Sequence, residues 1–186
     1  MNSKPLTAAS VFMALVAASI FMSMTYFAAP TLAQAAASTQ TADFVRKASI
    51  GNIFEIESSK LAVARTSAKE VKNFALMMMA DHTQLGDQLK KTLASSDTGL
   101  SVAEKPDDQL QKTLDSLKAA PTTAFDNLYV QAQSKAHDDA VSLFADYADS
   151  GDNMDLKNFA SSAIPTLKKH QELVHSLTQS HMISRQ

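Results

Sequence analysis

The 186-residue chain has no cysteine and no tryptophan, four glycines and five prolines. Without cysteine there can be no disulfide framework, no thiolate metal site and no cysteine nucleophile, although many exported proteins share that lack. An excess of positive charge is missing too. Lys and Arg number 17 against 19 Asp and Glu, a formal charge of -2. With the signs mixed along the chain, no basic stripe exists to neutralise phosphates, so no nucleic acid is expected as a partner. Catalytic templates are equally absent. There is no glycine-rich phosphate loop, no G-x-S-x-G elbow and no H-E-x-x-H pair, so no catalytic residue is assigned and nothing marks an enzyme. The length suits one compact domain, at roughly 100 to 200 residues each.

One long apolar run is present. Lys4 precedes an uncharged stretch from Ala8 to Ala29, followed by Pro30 and Ala33-Gln34-Ala35. That is the order of a secretory signal, with a charged start, an apolar centre and a small-residue cleavage site. The run also nears the ~20 residues that span a bilayer, so a retained anchor is the competing reading. The proline and the cleavage site favour removal of residues 1–35. The mature domain, 36–186, is then expected in the periplasm or outer envelope with no membrane of its own.

From Thr39 onward Ala, Leu, Lys, Gln and Met dominate, and no strand pattern competes with helix. A first helix is predicted from about Thr41 to Thr66. Ser67 and Glu70 have the spacing of a capping box, which would start a second. The polar segment 95–108 closes that helix, and a short amphipathic piece follows with Leu110, Leu114 and Leu117 on one side. Pro121 ends it. A fourth helix is predicted from about Thr123 to Ser150, with Gly151 in a positive-φ C-cap. Asp152 or Asn153 can cap a fifth, running to about Ser180 and bent at Pro165. Four long helices plus a short one in the crossover between the second and third describe an all-α four-helix bundle.

Spacing identifies the inward faces. Val71, Ala75, Met78, His82, Leu85 and Leu89 form a seam on the second helix. Leu156, Ala160, Ala163, Leu167, His170, Val174 and Leu177 form another on the fifth. His137 shares a face with Val130, Val141 and Phe144, and Glu55 lies over Gly51, Ser58, Ser59 and Ala62. Each long helix thus turns one acid or imidazole inward.

The segments around Glu55-Ile56-Glu57, Asp81-His82, Tyr129 with His137, and Pro165-Thr166-Leu167 before His170 resemble the bacterial envelope family catalogued as domain of unknown function 4142. Its members are grouped with ferritin-like bundles. The resemblance covers essentially the whole mature chain and implies the fold, a ferritin-like four-helix bundle, without implying an activity. Di-iron bundles carry Glu-x-x-His on two helices. Here Met79 stands three residues before His82 and Leu167 three before His170, so the carboxylate bridge is missing and ferroxidase chemistry is not carried over.

What remains is a candidate mononuclear site. Glu55, His82, His137 and His170 make a shell suited to zinc, iron or copper, with Asp81 and Glu172 as outer or alternative ligands. Met77, Met78 and Met79 suggest copper(I), but methionine in a helix seam is more commonly core filler. The role implied is envelope metal handling or stress defence. A competing reading is a metal-free interaction module, its histidines hydrogen-bonded to Glu55, Tyr129 or Tyr147 and its exposed apolar patch on the Leu110-Leu114-Leu117 piece. A third is a redox enzyme at the same site, which needs an open coordination position. His175 is read as surface, and His181 is unassigned. Asp138 and Asp139, about 100° apart on their helix, cannot both face a site with His137.

Overall fold

The computed structural model describes residues 37–183, and these are all-helical: α1 (Thr39–Arg65), α2 (Lys69–Ser95), α3 (Asp108–Ala119), α4 (Thr122–Ser150) and α5 (Met154–Ile183), with no strand among them. The predicted signal, residues 1–35, lies outside the described residues. Among those described, no helix is long and apolar enough to cross a membrane. Each long helix packs on two others: α1 on α2 and α4, and α5 on α4 and α2. The short α3 lies against α1 and α4.

Local chemistry sets most of the helix ends. The Ser38 hydroxyl accepts from the Thr41 amide, Asp107 from Leu110 and Asn153 from Leu156, each capping an N-terminus. The predicted Ser67–Glu70 capping box does not form. The N-cap is Ala68, with no side-chain bond, because Thr66 takes the turn instead: its Oγ1 accepts the Ala68 amide at 3.0 Å. Gly151 also departs from expectation, with φ at -60° rather than positive. Glycine is required there by crowding, since a Cβ would stand 2.5 Å from the Tyr147 carbonyl oxygen and 2.7 Å from its ring. Pro165 lies inside α5, which continues through it. At the other end of α3, the Arg65 guanidinium donates to the carbonyls of Leu117, Lys118 and Ala120 while lying over the Phe125 ring. It satisfies orphan C-terminal carbonyls and ties α1 to α3 and α4.

The interior divides into two apolar clusters. One gathers Phe44, Leu89, Leu93, Phe144, Leu156 and Leu167 with their neighbours. The other gathers Ala62, Val71, Met78, Phe125, Tyr129 and Val174 with theirs. Fully buried side chains such as Leu156, Leu167 and Val174 each contribute about 1.5–3 kcal/mol by leaving water. Met78 is wholly buried in the second cluster and serves as core. Leu114 and Leu117 are buried as well, so the short amphipathic piece turns inward and offers no exposed patch. A one-sided helix beside two long neighbours buries its stripe rather than leaving it in water.

Candidate metal centre

Between the two clusters the interior is polar. Along α2, His82 follows Met78 of one cluster and precedes Leu89 of the other. Along α4, His137 lies between Val130 and Phe144, and along α5, His170 lies between Leu167 and Val174. Between the clusters α2 and α4 run the same way and α5 the opposite way, yet all three histidines reach the same depth. Their ring centroids lie 5.6 Å (His82 to His137), 5.5 Å (His82 to His170) and 5.4 Å (His137 to His170) apart, close to an equilateral triangle. All three are at least 97% buried, being 3%, 1% and 1% exposed.

Each imidazole makes one hydrogen bond through a ring nitrogen. His82 Nδ1 lies 3.1 Å from Asn52 Oδ1 on α1, His137 Nδ1 lies 3.0 Å from the Gln133 carbonyl oxygen, and His170 Nε2 lies 2.8 Å from Asp81 Oδ2 on α2. Those partners are oxygens that only accept, so each of these ring nitrogens carries the proton. The other nitrogen is thereby left as a bare lone pair. His82 Nε2, His137 Nε2 and His170 Nδ1 are buried and have no hydrogen-bond partner among the described residues. One ring nitrogen from each histidine falls within 4.8 Å of those from the other two. If every side were that long, the centre would be about 2.8 Å from each nitrogen, and sub-ångström side-chain motion would bring all three to the ~2.0–2.1 Å of a metal–imidazole bond.

The electrostatics keep the imidazoles neutral. Burial holds His82 well below its usual 6.5, helped by the other two rings. It holds His137 down to about 4 against the opposing pull of the Gln133 carbonyl, and it lowers His170 despite the Asp81 carboxylate. Neutral imidazole is the form that ligates metal.

The remaining site residues fall into two groups. Glu55, 4% exposed, has its Oε1 3.7 Å from His137 Nδ1 and its Oε2 without a partner among the described residues. Burial pushes its carboxyl up to about 8, so it is protonated at neutral pH. It stands beside the outer nitrogen of His137, adjacent to the triangle but not within it. Asp81 is the partner of His170. Glu172, by contrast, is exposed, and at two residues past His170 it points about 200° away around α5. Tyr129 and Tyr147 do not serve the histidines; their hydroxyls bond Ser59 and Thr41. Asp138 accepts from Gln171 and His175, while Asp139 accepts from Lys135. His175 lies at the surface as expected, its side chain 44% exposed and paired with Asp138, and the His181 side chain lies outside those described. Two contributors went unrecognised in the sequence. Gln133 stands four residues before His137, one turn back on the same face, so helical spacing pointed to it. Asn52 carried no comparable signal, being on a different helix from His82.

In fold, the structure is similar to the crystal structure of a DUF305 fragment from Deinococcus radiodurans. The TM-score is 0.64 at 12% identity, covering 78% of this chain and 99% of that one. An identity that low supports the architecture alone. No curated protein matches the chain. The profile of the domain of unknown function DUF4142 matches residues 27–177, and the chain belongs to that family.

Proposed function

We propose that this protein is an exported, ferritin-like helical bundle that binds one transition-metal ion, zinc, copper or iron, through His82, His137 and His170, in envelope metal handling or stress defence. The observation that carries this reading is three buried histidines that each keep one partnerless ring nitrogen and each bring a ring nitrogen within 4.8 Å of the other two. A buried acceptor left unpaired costs about 1–3 kcal/mol, and three in one place need a compensating partner. A cation satisfies all three together.

The outer bonds support the same reading. A histidine that ligates metal generally donates its second N–H to a carboxylate or carbonyl, which fixes the tautomer and raises ligand basicity. Asn52, the Gln133 carbonyl and Asp81 do so here. Three imidazoles suit zinc, copper, iron and nickel, and among divalent ions copper and zinc bind such donors most tightly. A three-histidine set leaves a fourth position for water or Glu55, and Glu55 would ligate only after giving up its proton. A bound ion would act there as a Lewis acid. Were the histidines merely structural, the outer bonds alone would fix helix register and the inner lone pairs would serve nothing.

The test is elemental analysis of untagged protein, with thermal melts in the presence and absence of chelator. One equivalent of transition metal is expected, absent in His82→Ala and His170→Ala. Free ion at about 100 times Kd should add about 2.7 kcal/mol of stability. A metal-free protein whose melt ignores added zinc and copper would overturn the reading.

A further inference from the structure

Two clefts lead from the surface toward the histidines, and they differ in chemistry. The larger, about 510 Å³, opens between α1 and α4 and reaches His82 and Glu55. Its inner walls include Phe54, Leu143 and Phe144 together with Asn52, while Asp107, Asp139 and Asp146 are exposed residues of its rim; Leu85 and Leu167 border both clefts. The smaller, about 230 Å³, opens between α2 and α5 and reaches both His82 and His170. Its lining includes Gln84, Gln88, Ser162, Thr166 and Asp81.

On the reading that the histidines hold an ion, we propose that the ion reaches and leaves them through the polar α2–α5 cleft, with the Asp81 carboxylate as its docking point. A hydrated cation loses its waters in stages, and each remaining water needs a hydrogen-bond partner along the way. Amides, hydroxyls and charged groups make up most of the smaller cleft, whereas in the larger one the polar side chains, Asn52 and Glu55 among them, are interleaved with aromatic and aliphatic walls. Asp81 completes the route. Its side chain is 36% exposed, yet its Oδ2 is bonded to Nε2 of His170, which is 1% exposed. One ion-pairable contact therefore runs from solvent to the buried triangle. Lys169, also in the lining, opposes a cation, which leaves the local charge balanced and makes the carboxylate's position rather than a net field the attracting element.

A route differs from a ligand in its kinetics. Obstructing it raises the barrier in both directions and leaves the end states unchanged. Thr166, exposed and one turn before His170 on α5, is the place for an obstruction, and exposed Ser162 one turn further back offers a second. Cobalt(II), whose visible absorption reports coordination, is the probe. Stopped-flow mixing gives the association rate, and transfer to excess chelator gives the dissociation rate. In Thr166→Phe and Ser162→Phe both rates should fall about tenfold together, with Kd within about twofold of the parent. Ser142→Phe, at the rim of the larger cleft, should leave both unchanged. Slowing in Ser142→Phe but in neither α5 variant would overturn the route, as would unchanged rates in all three. If the parent protein takes up no cobalt, zinc or copper, the failure belongs to the metal reading itself.

Discussion

Replacing Glu55 by glutamine should remove a loss of stability that the metal-free protein suffers as pH rises to neutrality, a loss whose size depends on pH in a calculable way. Glu55 ordinarily titrates near 4.5, and burial pushes it up to about 8. A folded-state value above the unfolded one means that folding takes up a proton. The stabilisation is complete below pH 4.5 and is lost as pH rises toward 8. At about 1.4 kcal/mol per pH unit, the parent protein gives up about 3 kcal/mol between pH 4.5 and 7 on this account. Glutamine has nearly the same shape and no proton to lose. Whatever fixed offset its amide introduces, the difference between the two proteins should widen by that amount over the interval. Urea unfolding at pH 5, 6, 7 and 8, with chelator present, measures it. Parallel curves would mean that Glu55 is ionised in the folded protein, and would refute the assignment of a neutral carboxyl beside His137.

The histidines titrate in the opposite sense. Their folded values are depressed by burial, His137 to about 4, so stability is full above the unfolded value near 6.5 and falls as pH drops below it. Combined with Glu55, this places the metal-free optimum at about pH 6.5 to 7; an optimum at pH 8 in an unfolding series would contradict it. Asp81→Asn should weaken metal binding by about 10- to 100-fold while preserving one-to-one stoichiometry, because the carboxylate orients His170 without ligating; titration against a competing chelator reads this, and complete loss of the site would make Asp81 itself a ligand. Gly86→Ala places a Cβ 2.7 Å from Asn52 Nδ2, and since Asn52 holds the His82 ring, zinc affinity should drop by about tenfold. Helix propensity alone would favour the alanine by about 1 kcal/mol, so a more stable protein with unchanged affinity would show that Asn52 can shift at no expense to His82.

Much of the site could be read from periodicity, and the reason is specific. On α2 and α5 the apolar seam is regular enough that a histidine within it has to face inward, and both His82 and His170 do. Glu55 and His137 were legible from the small and apolar residues on their own faces. Register between helices was not legible, because seam spacing says which way a side chain points and not how far along the bundle it lies. The outer partner Asn52 belongs to that class, since it bonds a ring on another helix; Asp81 was named as an outer residue, but which ring it bonds was not legible. The capping box failed for a local reason: Thr66, one residue earlier, offered a competing hydroxyl to the same turn. Gly151 was anticipated as a glycine position on the wrong ground, conformational freedom rather than the closeness of Tyr147.

The polar layer between the two apolar clusters bears on how the molecule comes apart. Neither cluster shares a buried residue with the other, so in the absence of an ion the two ends are joined mainly by continuous helices and by hydrogen bonds at the rings. Such a molecule has the makings of two cooperative units that open with different free energies. Amide hydrogen exchange of the chelated protein would then resolve separate protection levels for the ends of α4. A ligand bound at all three rings would merge them into one, by anchoring α2, α4 and α5 to a common point midway along the bundle.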